Sequence, residues 1–154
     1  MGETFAPVIT GVVVIVPELA GFLPSAHITL LAPFGHDAEP TPDEIDEVAR
    51  FCADVTPFDF ELTELAAFPG GSHYLCPSPA ATFSRLTHQL HRLFPEYPPY
   101  DGAFDVVVPH LTVPAGAELP ALPVSCHARA ATLLHHDADG FHVRRTFPFG
   151  TRAA

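Results

Sequence analysis

Two short runs hold the residues whose types and spacing could do chemistry. The first is Ala26–His27–Ile28–Thr29–Leu30–Leu31–Ala32–Pro33–Phe34, and the second is Pro109–His110–Leu111–Thr112–Val113–Pro114. Each sets a histidine two residues before a threonine in apolar surroundings. In an extended strand successive side chains alternate between faces, so the imidazole and hydroxyl of each run share one face and the aliphatic residues share the other. An imidazole titrates near neutrality, so of two brought together one can be neutral and take a proton while the other is protonated and gives one. Two hydroxyls beside them can donate to the non-bridging oxygens of a phosphoryl group, where charge develops. A cyclic phosphodiester suits this set: water attacks on one side and the ring oxygen leaves on the other. The chemistry needs no cofactor and no metal.

One such motif means little. With ten His in 154 residues, about one His-x-Thr is expected by chance. Requiring apolar residues at the middle and following positions lowers that to roughly 0.2, and makes two copies about a one-in-a-hundred event. Either histidine alone reads as a packed core or edge residue; the two together favour function.

The elements that must position these residues follow from periodicity and punctuation. Val8–Val16, rich in Val and Ile between prolines, predicts a buried strand, and the first His-x-Thr run a second one closed by Pro33. Thr41–Pro42–Asp43–Glu44 starts a helix, with Thr as N-cap, Pro at the first helical position and acids in the first turn. Ile45, Val48, Ala49 and Cys52 give it a core face. The acids of that first turn read as its solvated start. Pro57–Phe68 alternates as a half-buried strand, and Pro69–Gly70–Gly71 turns it back through His73–Cys76. Ser78 and Pro79 predict the start of a second helix with a buried stripe of Phe83, Leu86, Leu90 and Leu93; His88 and His91 read as its surface. After a Pro95–Gly102 loop come Phe104–Val108, the second His-x-Thr strand, a long strand over Val124–His135, a turn at Asp137–Gly140 and a return over Phe141–Phe149. Alternation on the last strand puts Phe141, Val143, Arg145 and Phe147 on one face, with Arg145 paired internally or aimed into a cavity. His135–His136–Asp137 reads as a solvated hairpin end. Two halves of similar size each hold a helix, a hairpin and one His-x-Thr strand.

Length and composition fit one globular domain with a real core, with 47% hydrophobic residues and 13 Phe. The formal net charge is −11, which disfavours duplex DNA or long RNA, both of which are held by Lys and Arg on phosphates. A small phosphate ester remains a fitting partner. The three cysteines are far apart and without a CxxC pair, and Met1–Pro7 has no basic region, so a reduced cytoplasmic protein is expected. No apolar stretch is long enough to span a bilayer, and a monomer is expected.

At the two His-x-Thr runs the sequence resembles the 2H phosphoesterase superfamily, in its 2′-5′ RNA ligase-like or cyclic phosphodiesterase branch. The flanks are similar too: Leu31–Phe34, Phe68–Pro69–Gly70, Pro98–Pro99–Tyr100 before Val108–Thr112, and Phe147–Gly150. The resemblance implies a two-lobed α+β fold, with an antiparallel sheet and a helix per lobe and the motifs facing each other across a central cleft. It implies hydrolysis of 2′,3′-cyclic phosphate ends of nucleotides or short RNA, sometimes with reversible 2′-5′ RNA ligation. It implies catalysis by His27, Thr29, His110 and Thr112, with His110 as base and His27 as acid. Phe34, Tyr74 and Tyr100 are candidates to stack on a base, and Arg145 to hold a phosphate; packing is the plain reading of each. The acidic charge departs from RNA-handling relatives and favours a nucleotide, a short oligonucleotide or another small cyclic phosphate.

Two other readings compete. The same cleft could bind a cyclic or 2′-5′-linked nucleotide without cleaving it, although a pure binder has no need of two proton-transfer groups. A zinc site joining His27 and His110 would need a third ligand that the sequence does not nominate.

Overall fold

A computed structural model describes residues 8–99 and 108–151. Tyr100 and nearly all of the expected Phe104–Val108 strand lie outside them. The described elements run β1 (Ile9–Ile15), a 3-10 turn (Pro17–Leu19), β2 (His27–Leu31), α1 (Pro42–Ala53), β3 (Phe58–Ala67), β4 (His73–Ser78), α2 (Ala80–Leu93), β5 (Leu111–Val113), β6 (Val124–Ala128), β7 (Ala130–Asp137) and β8 (Gly140–Pro148).

All eight strands join one antiparallel sheet in the order β6-β3-β4-β5-β2-β1-β7-β8. The α+β antiparallel architecture is as expected. The sheets of the two halves, however, are fused through the pairing of β2 with β5, which carry the two motifs. The strand expected over Val124–His135 is two strands, divided at Arg129, because β6 pairs with β3 and β7 with β1. In a flat sheet six strand spacings would hold β6 and β7 roughly 29 Å apart. Consecutive Cα atoms are about 3.8 Å apart, so the single residue between these strands forces the sheet to curl until its ends meet. Contacts at that end agree. The Phe149 N–H donates to the Arg129 carbonyl at 2.9 Å, and Phe149 stacks with Phe58 of β3 at 6.4 Å between ring centroids.

The helices pack on one face of the sheet. On that side Val12, Val14, Ile28, Leu30, Phe60, Leu62, Leu75 and Leu111 form one cluster with Val48 and Cys52 of α1 and Phe83, Leu86 and Leu90 of α2. α1 starts as expected: Thr41 Oγ1 accepts from the Glu44 N–H while the Glu44 carboxylate accepts from the Thr41 N–H, a reciprocal capping box. α2 starts one residue later than its signals suggest, with Pro79 as N-cap and no side-chain cap, because Ser78 is taken by the end of β4. Leu93 of its expected stripe is exposed, and Thr87 is buried instead.

Candidate active site

β2 is read from its alternation: Ile28 and Leu30 are buried, whereas His27 and Thr29 are only partly covered. β5 repeats the pattern, with Leu111 and Val113 buried and Thr112 exposed. Both sets of aliphatic residues enter the helix-side core, so both His-Thr pairs stand on the opposite face, which is helix-free among the described residues.

Ile28 pairs with Leu111 across the antiparallel β2–β5 ladder. One step to either side, that register sets His27 opposite Thr112 and Thr29 opposite His110. Directly opposed residues on one face have Cβ atoms roughly 4.5–5.5 Å apart. The four side chains singled out by the sequence are therefore neighbours on paired strands, not merely residues on opposite walls.

The two imidazoles are fixed in the same way. His27 Nδ1 lies 2.8 Å from the Ser25 carbonyl, and His110 Nδ1 lies 2.7 Å from the Val108 carbonyl. A carbonyl oxygen only accepts, so each Nδ1 carries a proton and each neutral ring keeps its lone pair on Nε2. Ser25, which supplies one of these carbonyls, sits in the left-handed region at φ 62°. Burial holds His27 below the ordinary histidine range; the Ser25 bond opposes that shift, and the nearby charges of His110 and His136 add to it.

Each histidine also meets the edge of an aromatic ring that is itself stacked. Phe141 of β8 stands edge-on to His27 at 5.2 Å and stacks on His136 at 4.4 Å. Phe68 stands edge-on to His110 at 5.1 Å and stacks on Tyr74 at 4.1 Å, while Tyr74 approaches His110 at 5.8 Å. Tyr74 is thus brought to the site, opposite Thr112 in the β4–β5 register.

Other candidates go elsewhere. Phe34 is completely buried and packs edge-on against Phe94 and Tyr97, so it is a core residue. Arg145 is not with the histidines. The β7–β8 register shifts between Leu133 and Leu134, so that Leu133 faces Arg145 and Leu134 faces Val143. This bulge breaks the alternation, separates Arg145 and Phe147 from Phe141 and Val143, and turns Arg145 to Asp46 of α1 at 3.7 Å, over the Phe147 ring. Tyr100 lies outside the described residues.

Residues the sequence reading did not single out complete the surroundings. His136 and Phe141 were hidden because β7 runs on through Asp137. His135 and His136 then point to opposite faces: His135 is buried, its Nδ1 2.9 Å from Thr10 Oγ1, and His136 joins the site face. Phe68 had a signal in the Phe68–Pro69–Gly70 flank. Among the described residues no group of three or more His, Cys, Asp or Glu is arranged to hold a metal ion, and no helix is long and apolar enough to cross a membrane.

A curled antiparallel sheet backed by two helices, with two His-x-Thr pairs side by side on its open face, defines the 2H phosphoesterase class. The chain belongs to the 2′-5′ RNA ligase superfamily, whose family model matches residues 16–146. It is 35% identical over 97 residues to "Putative phosphoesterase GK0864" of Geobacillus kaustophilus (strain HTA426), a match covering 61% of this chain and 52% of that protein. The chain thus spans about half the length of the curated relative it matches. The crystal structure of TT0787 of Thermus thermophilus is similar with a TM-score of 0.67 at 20% identity, over 94% of this chain and 99% of that one. Escherichia coli LigT complexed with NADP+ gives 0.60 at 16% identity, over 93% and 98%. LigT complexed with 3′-AMP gives 0.59 at 15%, over 94% and 99%. At these identities the likeness to the solved structures is one of fold.

Proposed function

We propose that this protein is a phosphodiesterase that opens 2′,3′-cyclic phosphates of nucleotides or short RNA ends by general acid/base catalysis between His27 and His110, with no metal in the step. The observation that carries the reading is the Ile28–Leu111 register, which sets each histidine beside the other strand's threonine.

In the proposed step the phosphoryl group lies between the two pairs. His110 Nε2 takes a proton from water as the water oxygen bonds to phosphorus. The phosphorus–ring oxygen bond breaks, and protonated His27 gives its Nε2 proton to the leaving oxygen, yielding a phosphomonoester. Thr29 and Thr112 donate to the non-bridging oxygens as charge grows on them. Burial loosens the hold of His27 on its proton, which suits an acid that must release one. The substrate's own negative charge favours the protonated ring until it does. The Nδ1–carbonyl bonds keep both Nε2 atoms as the exchanging positions. With an RNA 5′-hydroxyl attacking phosphorus in place of water, the same ring opening, in which the 3′-oxygen leaves and takes a proton, would join the two ends through a 2′-5′ linkage. A monomeric state and a place in the cytoplasm belong to the same proposal.

The test is incubation with the four nucleoside 2′,3′-cyclic monophosphates, with and without EDTA, for the wild type, His27→Ala and His110→Ala, resolving 2′- from 3′-phosphate products. Turnover that survives EDTA and is lost in both variants is expected. Loss of activity with the chelator would sink the mechanism. Binding without product on long incubation would favour a non-catalytic nucleotide cleft.

A further inference from the structure

The helix-free face changes character on either side of the motif strands. On the His27 side the ladder pairs Ile15 with His27 and Val13 with Thr29, and beyond them Val13 with Thr132. A cavity of about 220 Å³ opens there, walled by Gly11, Val13, His27, Leu134, His136 and Phe141 among others. Its surface is mainly aliphatic, closed by the stacked Phe141–His136 pair. Sites for drug-sized ligands run to roughly 300–1,000 Å³, so this one suits a single planar ring system and not a run of nucleotides.

On the His110 side the face turns acidic. Tyr74 pairs with Thr112 and Ala66 with Tyr74, and Cys76 pairs with Glu64. Further along β3, Glu61 lies opposite Ser125 and Asp59 opposite His127. Buried Phe60 and Leu62 alternate with these acids, so Asp59 and Glu61 project from the helix-free face, and Glu64 joins them through the shift between Leu62 and Glu64. The position of Glu64 has an independent mark: burial and then the Glu64 charge hold the Cys76 thiol above its ordinary value. Asp59 is occupied by His127. Glu61 and Glu64 are exposed.

We infer, resting on the phosphodiesterase reading above, that the substrate carries a single phosphate, that its planar group seats in the hollow that Gly11, Val13 and Leu134 wall together with the touching rings of His27, Phe141 and His136, and that Glu61 and Glu64 bar a second phosphate beyond His110. Glu64 stands two strand spacings from His110, roughly 10 Å. That is about one Debye length at 0.1 M salt, so a phosphate extending along this row from His110 comes inside the range of the Glu64 charge before it reaches Glu64. Stacking, not phosphate contact, then supplies most of the affinity for the nucleoside part.

The experiment is calorimetric titration at 50 mM salt with adenosine 3′-monophosphate, with ribose phosphate lacking the base, and with a dinucleotide ending in the same 3′-phosphate. The proteins are the wild type, Phe141→Ala and the exposed pair Glu61→Gln/Glu64→Gln. Removal of the base is expected to weaken wild-type binding about tenfold, and Phe141→Ala to erase most of that difference. The dinucleotide is expected to bind about tenfold more weakly than the mononucleotide, a gap that the double Gln variant or 0.5 M salt closes to within about threefold. Equal binding of base-free and base-bearing ligands overturns the inference, as does a dinucleotide that binds as well as the mononucleotide, a gap indifferent to the Gln pair, or no nucleotide binding at all. Turnover of the matching 2′,3′-cyclic forms is followed in parallel. The binding pattern without turnover would sink the phosphodiesterase reading and keep the hollow; turnover without the pattern would do the reverse.

Discussion

Ile28 and Leu111, both fully buried, face each other across β2 and β5, and their pairing is what joins the two halves of the sheet at the site. Neither takes part in the proposed chemistry. Their packing against the helix-side core nevertheless fixes which hydroxyl stands beside which imidazole. A slip of one residue in this register would turn every motif side chain to the wrong face.

Leu111→Ala should therefore cost both stability and geometry. Large-to-small changes at a buried leucine cost about 2–5 kcal/mol, read from urea denaturation. Cyclic phosphate turnover, measured where the variant is still folded, should fall by more than a stable surface variant loses. Full activity in folded Leu111→Ala would mean that the β2–β5 register does not hold the site.

The tautomer assignment separates two amide replacements. His110→Asn can place its amide N–H near Nδ1 and keep a bond to the Val108 carbonyl, yet it has no group at the Nε2 position. The variant should melt close to the wild type and lose turnover by about a thousandfold. His27→Asn should behave alike through the Ser25 carbonyl. An Asn variant with near-wild-type turnover would remove proton transfer at Nε2 from the mechanism.

Thr29 and Thr112 are proposed as donors to developing charge, and such donors are worth about a hundredfold or more in kcat. Thr29→Val and Thr112→Val keep shape and drop the hydroxyl. Each should lower kcat by about that factor with little change in KM. A loss confined to KM would make them ground-state binders instead.

Acid should destabilise the fold through His27. Its folded pKa is below the ordinary value of 6.5, so the unfolded chain binds its proton first as pH falls. The stability associated with the neutral ring is complete above about pH 6.5 and is lost as pH falls through the folded value. His27→Gln should flatten this part of the stability–pH curve between about pH 7.5 and 5. For catalysis, the bound substrate anion should move the His27 limb of the kcat profile to higher pH than the corresponding limb of kcat/KM. Coincident limbs would show that the anion does not sit beside His27.

The helix start offers a control remote from the site. Thr41→Ala breaks the capping box with Glu44 and should cost about 1 kcal/mol. Turnover at a temperature where the variant is folded should be that of the wild type.

Much of this was legible in the chain. The alternation of Ile28 and Leu30 with His27 and Thr29, and of Leu111 and Val113 with Thr112, is local, because a strand's faces follow from the period of two alone. The capping box at Thr41 and Glu44 is equally local. Where local signals ended, the reading failed in identifiable ways. Phe34 is an aromatic just past the first His-x-Thr strand, and only the packing of Phe94 and Tyr97 around it makes it core. Arg145 followed an alternation that a bulge interrupts, and bulges depend on the partner strand. The continuous run from Val124 to His135 carries no sign of division, since its two parts are separated by what each pairs with.

The sequence by itself determined the chemical inventory and the local geometry: two imidazoles and two hydroxyls, on strands whose aliphatic faces require burial. Periodicity and capping act over a few residues, so they can be read along one chain. Tertiary structure decided the rest. Which strand lies beside which, that β2 meets β5 at Ile28 and Leu111, and that His136, Phe141, Phe68 and Tyr74 gather around the two histidines are outcomes of pairing between segments up to about a hundred residues apart. Such pairings are selected by the burial of the whole core, a property no single stretch contains.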